Sequence, residues 1–314
     1  MPTVNENPTC PICGAPAQAV RTLPADEIRR VLAGLFGAAV PGGVPATDYT
    51  MHECSACALV FADPMVAGDG AFYGWITGFA RYHAGARWEW GVIKDQVTHH
   101  HAHTLLEVGA GTGALMEYLR DIDGLAMTGI DVSAASVKTA RDKGFDVREA
   151  AFDDLAEVLG DDETFDAIVL SHVMEHVADP LGVMRALLGR LKPGGRLMTA
   201  VPYSPMSREL DEWDIMNLPP HHLTRWNARS LHGLAEALGC SVELHAAKAK
   251  SPFKRAVQDT CGQVLGDKHP STLKRALTVL GHWGIFQSHL ARHKARERVN
   301  GQAAGDSVLA VLYR

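Results

Sequence analysis

Residues 105–119 read LLEVGAGTGALMEYL, and the order of residue types in this stretch decides the fold. Leu105, Leu106 and Val108 make an apolar run of strand length. Gly109, Gly111 and Gly113 alternate after it, and apolar residues then return at helical spacing. A buried strand turning tightly into a helix fits this order. Glycine lets backbone approach a ligand closely, and the helix N-terminus is expected to offer it unpaired N–H groups.

Outward from that turn the pattern alternates. Strands are predicted over 104–108, 126–130, 145–149, 165–170, 195–201, 240–247 and 307–313. Helices are predicted over 113–121, 133–143, 180–191 and 228–239. Such alternation predicts an α/β fold, a parallel seven-stranded Rossmann-like sheet covered by helices on both faces. In LKPGG, Pro193, Gly194 and Gly195 are expected to form the turn before the fifth strand.

With 314 residues and 46% hydrophobic content, the chain can bury a sizeable core. The opening MPTVNENPTC lacks a basic stretch followed by an apolar run, and no apolar run reaches membrane-spanning length. A cytoplasmic protein without a membrane partner is expected. The net charge of −6 and pI near 6.2 weigh against a nucleic-acid partner. Residues 248–298 are nevertheless locally basic, with 11 Lys/Arg against three Asp/Glu. They fit either a solvated helical surface or a patch for an anionic substrate.

Cys10-x-x-Cys13 and Cys54-x-x-Cys57 each sit beside turn residues, in TCPICGAP and HECSACALVF. Two such knuckles complete a tetrahedral zinc site, and four thiolates leave no position open, so the zinc is expected to be structural. Cys240 and Cys261 have no such neighbours and read as ordinary, partly buried thiols. The chain divides into a zinc module (1–62), an aromatic-rich connector (63–103), a main domain (104–249 with 305–314) and a helical insertion (250–304). In the connector, Tyr73, Trp75, Phe79, Tyr82, Trp88 and Trp90 suit two short helices. These pack the module onto the main domain, or form a lid from which Tyr73 or Tyr82 reaches a substrate. His99–His103, HHHAH, reads as a solvated linker.

The glycine loop alone also satisfies a dinucleotide fingerprint. Glu107, two residues before Gly109, would repel a pyrophosphate but suits a cationic ligand. Asp131, followed by Val132 in MTGIDVS, lies 22 residues after Gly109, where a carboxylate can accept ribose hydroxyls. With REAAFDDL, FDAIVLSHVMEHVADP and LKPGGRLMTAVP downstream, residues 104–249 resemble the class I S-adenosylmethionine-dependent methyltransferases. The resemblance implies that Gly109, Gly111 and Gly113 contact the amino-acid part of the cofactor and that Asp131 holds its ribose. It also implies that Phe152 and Asp153 flank the adenine, and that Ser171 and His172 border the transferred methyl. His176 reads as a satisfied core histidine. A nicotinamide oxidoreductase is the alternative.

After the fifth strand, LPPHHLTRWN places His221 and His222 on a proline-stiffened loop at the carboxyl edge of the sheet. Imidazole titrates close to neutral pH, which points to general-base chemistry. The alternative is that they cap the next helix or bond to backbone. The zinc module, aromatic connector and histidine loop together resemble the zinc-containing sugar-nucleotide C-methyltransferases. In that family a Glu-His pair precedes a stretch similar to LTRWNARSL, so the resemblance makes His222 the base. His221 stands where the family has glutamate. A small-molecule acceptor, possibly nucleotide-linked, is implied. The competing functions are a zinc-ribbon RNA methyltransferase and a cofactor-fold module without catalysis. The first is disfavoured by a module with three arginines, no lysine and five acids.

Overall fold

Leu105, Leu106 and Val108 are all at most 1% exposed, because the first strand of the main sheet is covered on both faces. Residues described by the computed structural model are 8–42, 44, 47–79, 87–151, 155–160, 162–206, 209, 214–249, 251–266, 268, 270–295, 298–299 and 302–314. In chain order the elements begin with β1 (Ala17–Leu23), α1 (Ala25–Phe36), β2 (Tyr49–Cys54), β3 (Val60–Asp63), α2 (Gly70–Thr77) and α3 (Glu89–His99). The main sheet starts with β4 (Thr104–Val108), α4 (Ala114–Tyr118), β5 (Ala126–Asp131), α5 (Ala134–Asp142), β6 (Asp146–Glu149) and α6 (Leu155–Val158). It continues through β7 (Phe165–Ser171), α7 (Pro180–Gly189), β8 (Leu191–Pro202), β9 (Thr224–Arg225), α8 (Ala228–Leu238) and β10 (Ser241–Lys248). Then come α9 (Pro252–Leu265), α10 (Thr272–Gly281), α11 (Trp283–Lys294), β11 (Arg298–Val299) and β12 (Gln302–Tyr313).

The main sheet runs β10-β12-β8-β7-β4-β5-β6, with β11 paired to β12. Strands β4 to β8 are parallel, but β12 is antiparallel to both β8 and β10. The expectation of a wholly parallel sheet is therefore corrected to a mixed one. Strand β12 arrives from the helical insertion and slots between β8 and β10, a pairing that periodicity along the chain does not encode. The sequence LKPGG also departs from the expected turn. Leu191 already pairs with Phe165, and Arg196 with Ala167, so residues 192–195 bulge out of a continuing ladder with Gly194 at φ +77°.

Leu106, Val108, Ile168 and Leu170 point to one face, under Met184, Leu187, Leu231 and Leu234 of α7 and α8. Leu105, Ala167 and Val169 point to the other, against Ile93 and Val97 of α3. Each fully buried leucine or isoleucine stabilises by roughly 1.5–3 kcal/mol. Side-chain caps mark the helix starts: Ser133 accepts from the Ser136 N–H, Asp179 from Gly182, and Asn227 forms a reciprocal box with Ser230.

The N-terminal strands form a second, antiparallel sheet, β1-β2-β3-β9. Its last strand belongs to the histidine loop: Val60 pairs with Arg225 and Phe61 with Thr224. Gly233 of α8 passes so close to the module that an added Cβ would sit 2.8 Å from Cys57 Cβ. Helix α2 packs on the sheet's far side, where Phe72 and Ile76 meet Leu218 and Leu223. No helix among the described residues is long and apolar enough to cross a membrane.

Candidate active site

From β4 the chain runs one way to β5 and β6, then returns to lay β7 and β8 on the other side. The carboxyl ends of β4 and β7 therefore flank a topological switch point, where an open α/β sheet forms its ligand crevice. The glycine loop lies there. Gly109 has φ +77°, and an added Cβ would stand 2.3 Å from Val173 Cγ2. Gly113 has φ +75°, and its Cβ would meet the Phe145 ring at 2.8 Å. Both positions need glycine for conformation and for space.

Ahead of the helix, N–H groups of the loop itself are engaged. Gly109 and Ala110 N–H donate to the Ile130 carbonyl, Gly111 N–H to Asp131 Oδ2 and Gly113 N–H to the Ala110 carbonyl. The five-residue α4 contributes little dipole. What the loop offers is a bare backbone surface between two carboxylates.

Those carboxylates are Glu107 and Asp131. Glu107 is 4% exposed and its Oε2 has no hydrogen-bond partner. Burial, and then the charge of Asp131, hold its carboxyl well above the usual range. Asp131 accepts from Gly111 N–H (2.7 Å) and Ser133 N–H (2.8 Å), and burial outweighs those bonds to push it up. Val132 beside it is 61% exposed. An orphaned buried carboxyl oxygen is matched by a cationic amine, and the lone pairs left on Asp131 by hydroxyls. Phe152 and Asp153, expected at the adenine, and Tyr82 of the connector lie outside the described residues.

At the end of β7, Ser171 donates to Glu89 Oε1 (3.3 Å). His172, at φ +57°, is clamped by Glu175 (3.2 Å) and Glu89 (3.4 Å), each only 1% exposed. Burial alone would lower the His172 pKa, but its bonds to the two carboxylates outweigh it and raise it. The same imidazolium holds Glu89 and Glu175 down against their own burial. His172 thus closes the end of β7, with both ring nitrogens committed to carboxylates that tie α3 to the β7 loop.

The residues after it, Met174–His176, make a single 3-10 turn that brings His176 against the histidine loop. The ring of His176 lies 4.7 Å from that of His221 and 4.6 Å from that of His222, and the latter two stack at 4.3 Å. Each ring has its Nδ1 on an oxygen: His176 on the His221 carbonyl, His221 on the Met216 carbonyl (2.8 Å) and His222 on Asn217 Oδ1 (2.9 Å). Carbonyl oxygens only accept, so all three rings are Nδ1–H tautomers with the lone pair on Nε2. The Asn217 orientation is fixed as well. Its Nδ2 donates to Ser204 Oγ and Glu209 Oε1, and Arg225 grips Glu209 through two bonds (2.9 and 3.1 Å).

The expectation of imidazoles titrating near neutrality is corrected. Burial first, then the neighbouring histidines, depress all three: His221 to about 3, His222 well below its usual value, and His176 downward. The cluster is neutral at physiological pH. The next helix is capped by Asn227, so neither loop histidine caps it, though His221 does bond backbone. His176 is not an isolated core residue but the third member of the cluster. Glu175 adjoins it, with Oε1 4.0 Å from His222 Nε2. Tyr73 of α2 donates to the His221 carbonyl (3.4 Å). The adjacent Glu175-His176 pair, four residues beyond the β7 end, was the available signal.

Farther off, Cys10, Cys13, Cys54 and Cys57 gather with their sulfurs within 4.8 Å of one another. Backbone N–H groups of Ile12, Ala56 and Cys57 point at the sulfurs of Cys10 and Cys54. The Cys57 contact draws the Cys10 thiol down to about 5. This donor set is that of a closed four-thiolate metal site.

A family profile described as a methyltransferase domain matches residues 83–245. A ubiquinone biosynthesis O-methyltransferase of Idiomarina loihiensis is 28% identical over 146 residues, covering 45% of this chain and 58% of that protein. Its counterpart in Caulobacter vibrioides is 34% identical over 136 residues, covering 41% and 51%. The chain thus spans little more than half the length of these relatives. Among solved structures, a plantazolicin methyltransferase, BpumL, in complex with a desmethyl analogue and S-adenosylhomocysteine aligns with a TM-score of 0.50 at 12% identity. That alignment covers 78% of this chain and 92% of the other, and shows a shared fold.

Proposed function

Because the chain belongs to the methyltransferase-domain family, we propose that it transfers a methyl group from S-adenosylmethionine to a small molecule. The observation that carries this reading is the buried, unpartnered Glu107 Oε2 at the switch point, beside a glycine cradle that an added Cβ would fill. The sulfonium cofactor supplies an electrophilic methyl that needs alignment more than activation. Glu107 receives its ammonium group, the loop from Gly109 to Gly113 passes along its amino-acid part, and Asp131 accepts its ribose hydroxyls. Val132, Phe152 and Asp153 border the adenine in this assignment, and Ser171 and His172 the methyl side.

The acceptor seats at His176, His221 and His222, beside Tyr73 of the connector, and loses its proton there; Tyr82 is assigned to contact the same acceptor. His222, with Glu175 at its edge, is the residue assigned to that step. The relatives' names favour O-methylation, whereas the cysteine module joined through β9 to the histidine loop favours a sugar-nucleotide acceptor. A four-cysteine structural zinc would fix that module, and through β9 the start of the loop. Release of S-adenosylhomocysteine tests the reading across nucleotide sugars and hydroxylated aromatics. At least one class is expected to turn over in the wild type and to fall 10²–10⁴-fold in His222→Ala, the range typical of a lost proton acceptor. Cofactor binding without turnover of either class would overturn the acceptor assignment.

A further inference from the structure

We propose that His176, His221 and His222 form a second metal site, binding a divalent first-row cation such as zinc through their three Nε2 atoms. This rests on the reading of the cluster as the acceptor site and revises one step of it: with His222 Nε2 on the metal, an acceptor hydroxyl bound there would pass its proton to the neighbouring Glu175 instead of to His222. The three residues each offer a ligand atom, and these atoms lie within 4.8 Å of one another. Tetrahedral bonds of roughly 2.0–2.1 Å put ligand nitrogens about 3.4 Å apart, so on binding the nitrogens draw together while the stacked rings of His221 and His222, 4.3 Å apart, splay to aim their lone pairs at one point. Metal-binding histidines characteristically donate their other ring nitrogen to a carbonyl or carboxylate, which fixes the tautomer and aims the lone pair. All three rings here already do so, onto the His221 and Met216 carbonyls and Asn217 Oδ1. The Asn217 amide is in turn locked by Glu209 and Arg225, so the His222 tautomer is imposed from two residues away.

A second observation points to a cation. Glu175 Oε2 is buried with no hydrogen-bond partner, and Glu175 Oε1 lies 4.0 Å from His222 Nε2. Glu175 Oε1 and Glu89 Oε1 are both engaged by His172, which leaves Glu175 Oε2 as the unpartnered oxygen beside the cluster. Three nitrogens leave the fourth tetrahedral position for an exchangeable oxygen ligand, unlike the closed four-thiolate site.

The test is a cobalt(II) titration of the full, metal-stripped chain. Cobalt at the cysteines gives intense thiolate-to-metal charge-transfer bands. The proposal expects a second equivalent that adds weaker visible bands without them. Asn217→Ala should weaken that second equivalent 10–100-fold while the thiolate bands stay, as expected for loss of an outer-shell partner. His176→Gln should abolish it. A wild-type titration complete at the thiolate equivalent, or a second equivalent indifferent to both substitutions, would overturn the proposal. The underlying reading fails differently. Second-site binding without turnover of any acceptor removes the acceptor assignment and leaves the metal site, whereas undiminished turnover at one equivalent removes the metal's place in it.

Discussion

Replacing Gly109 by alanine tests how the glycine loop and the histidine turn are packed together. At φ +77° any residue with a Cβ pays about 1–2 kcal/mol. The added methyl would then stand 2.3 Å from Val173 Cγ2, and the overlap must be relieved by moving Val173 or the loop. Overpacking of this kind costs typically 1–3 kcal/mol, so Gly109→Ala should destabilise by about 2–5 kcal/mol. Val173→Ala alone removes two buried methyl groups and should cost about 1–2 kcal/mol at ~0.8 kcal/mol each. In the double variant the nearest remaining Val173 atom, Cβ, is 3.6 Å from the new methyl, an ordinary contact. The overlap then vanishes and the backbone strain stays, so the two changes should couple by about 1–3 kcal/mol. Urea denaturation of the four proteins measures the cycle. Additive effects, or a Gly109→Ala cost under about 1 kcal/mol, would refute the packing argument.

Glu107→Gln should stabilise the cofactor-free protein increasingly as pH rises. The folded pKa lies well above the ordinary 4.5, so the group's contribution is complete below about pH 4.5 and is lost on rising through the folded value. Denaturation at pH 5 and pH 8 checks this, and a gain that shrinks toward pH 8 would contradict it. Arg225→Met strands the buried Glu209 carboxylate and should cost about 3–5 kcal/mol, read from the urea midpoint. A loss below 1 kcal/mol would mean the pair does not hold Asn217. Cys57→Ser should remove one zinc equivalent and make the β1-β2-β3 module the first site of limited proteolysis; unchanged zinc content would dismiss the four-cysteine site.

Much of the main sheet was legible in the sequence, because strands buried on both faces are continuous apolar runs and their connecting helices carry a 3.6-residue stripe. The seven predicted strands correspond to β4, β5, β6, β7, β8, β10 and β12 within a few residues. What failed were features set by distant partners. Strand β12 takes its antiparallel place from edges supplied by β8 and β10, and β9 is a two-residue strand that exists only because β3 is there to pair with it. The four cysteines were legible because knuckle spacing is local chemistry. His176 was not, since its neighbours His221 and His222 lie 45 and more residues away and only the sheet's edge brings them together. The depressed pKa values were hidden for the same reason: they come from burial that no single loop encodes.

The central claim, that the β4–β7 crevice holds S-adenosylmethionine on Glu107, is tested most directly by calorimetric titration of that cofactor into wild type and Glu107→Gln. The account predicts one cofactor per wild-type chain. It also predicts roughly 10–100-fold weaker binding to the folded variant, the cost of losing a charged hydrogen bond worth ~1.5–3 kcal/mol. No binding to the wild type, or equal affinity for both proteins, would contradict it.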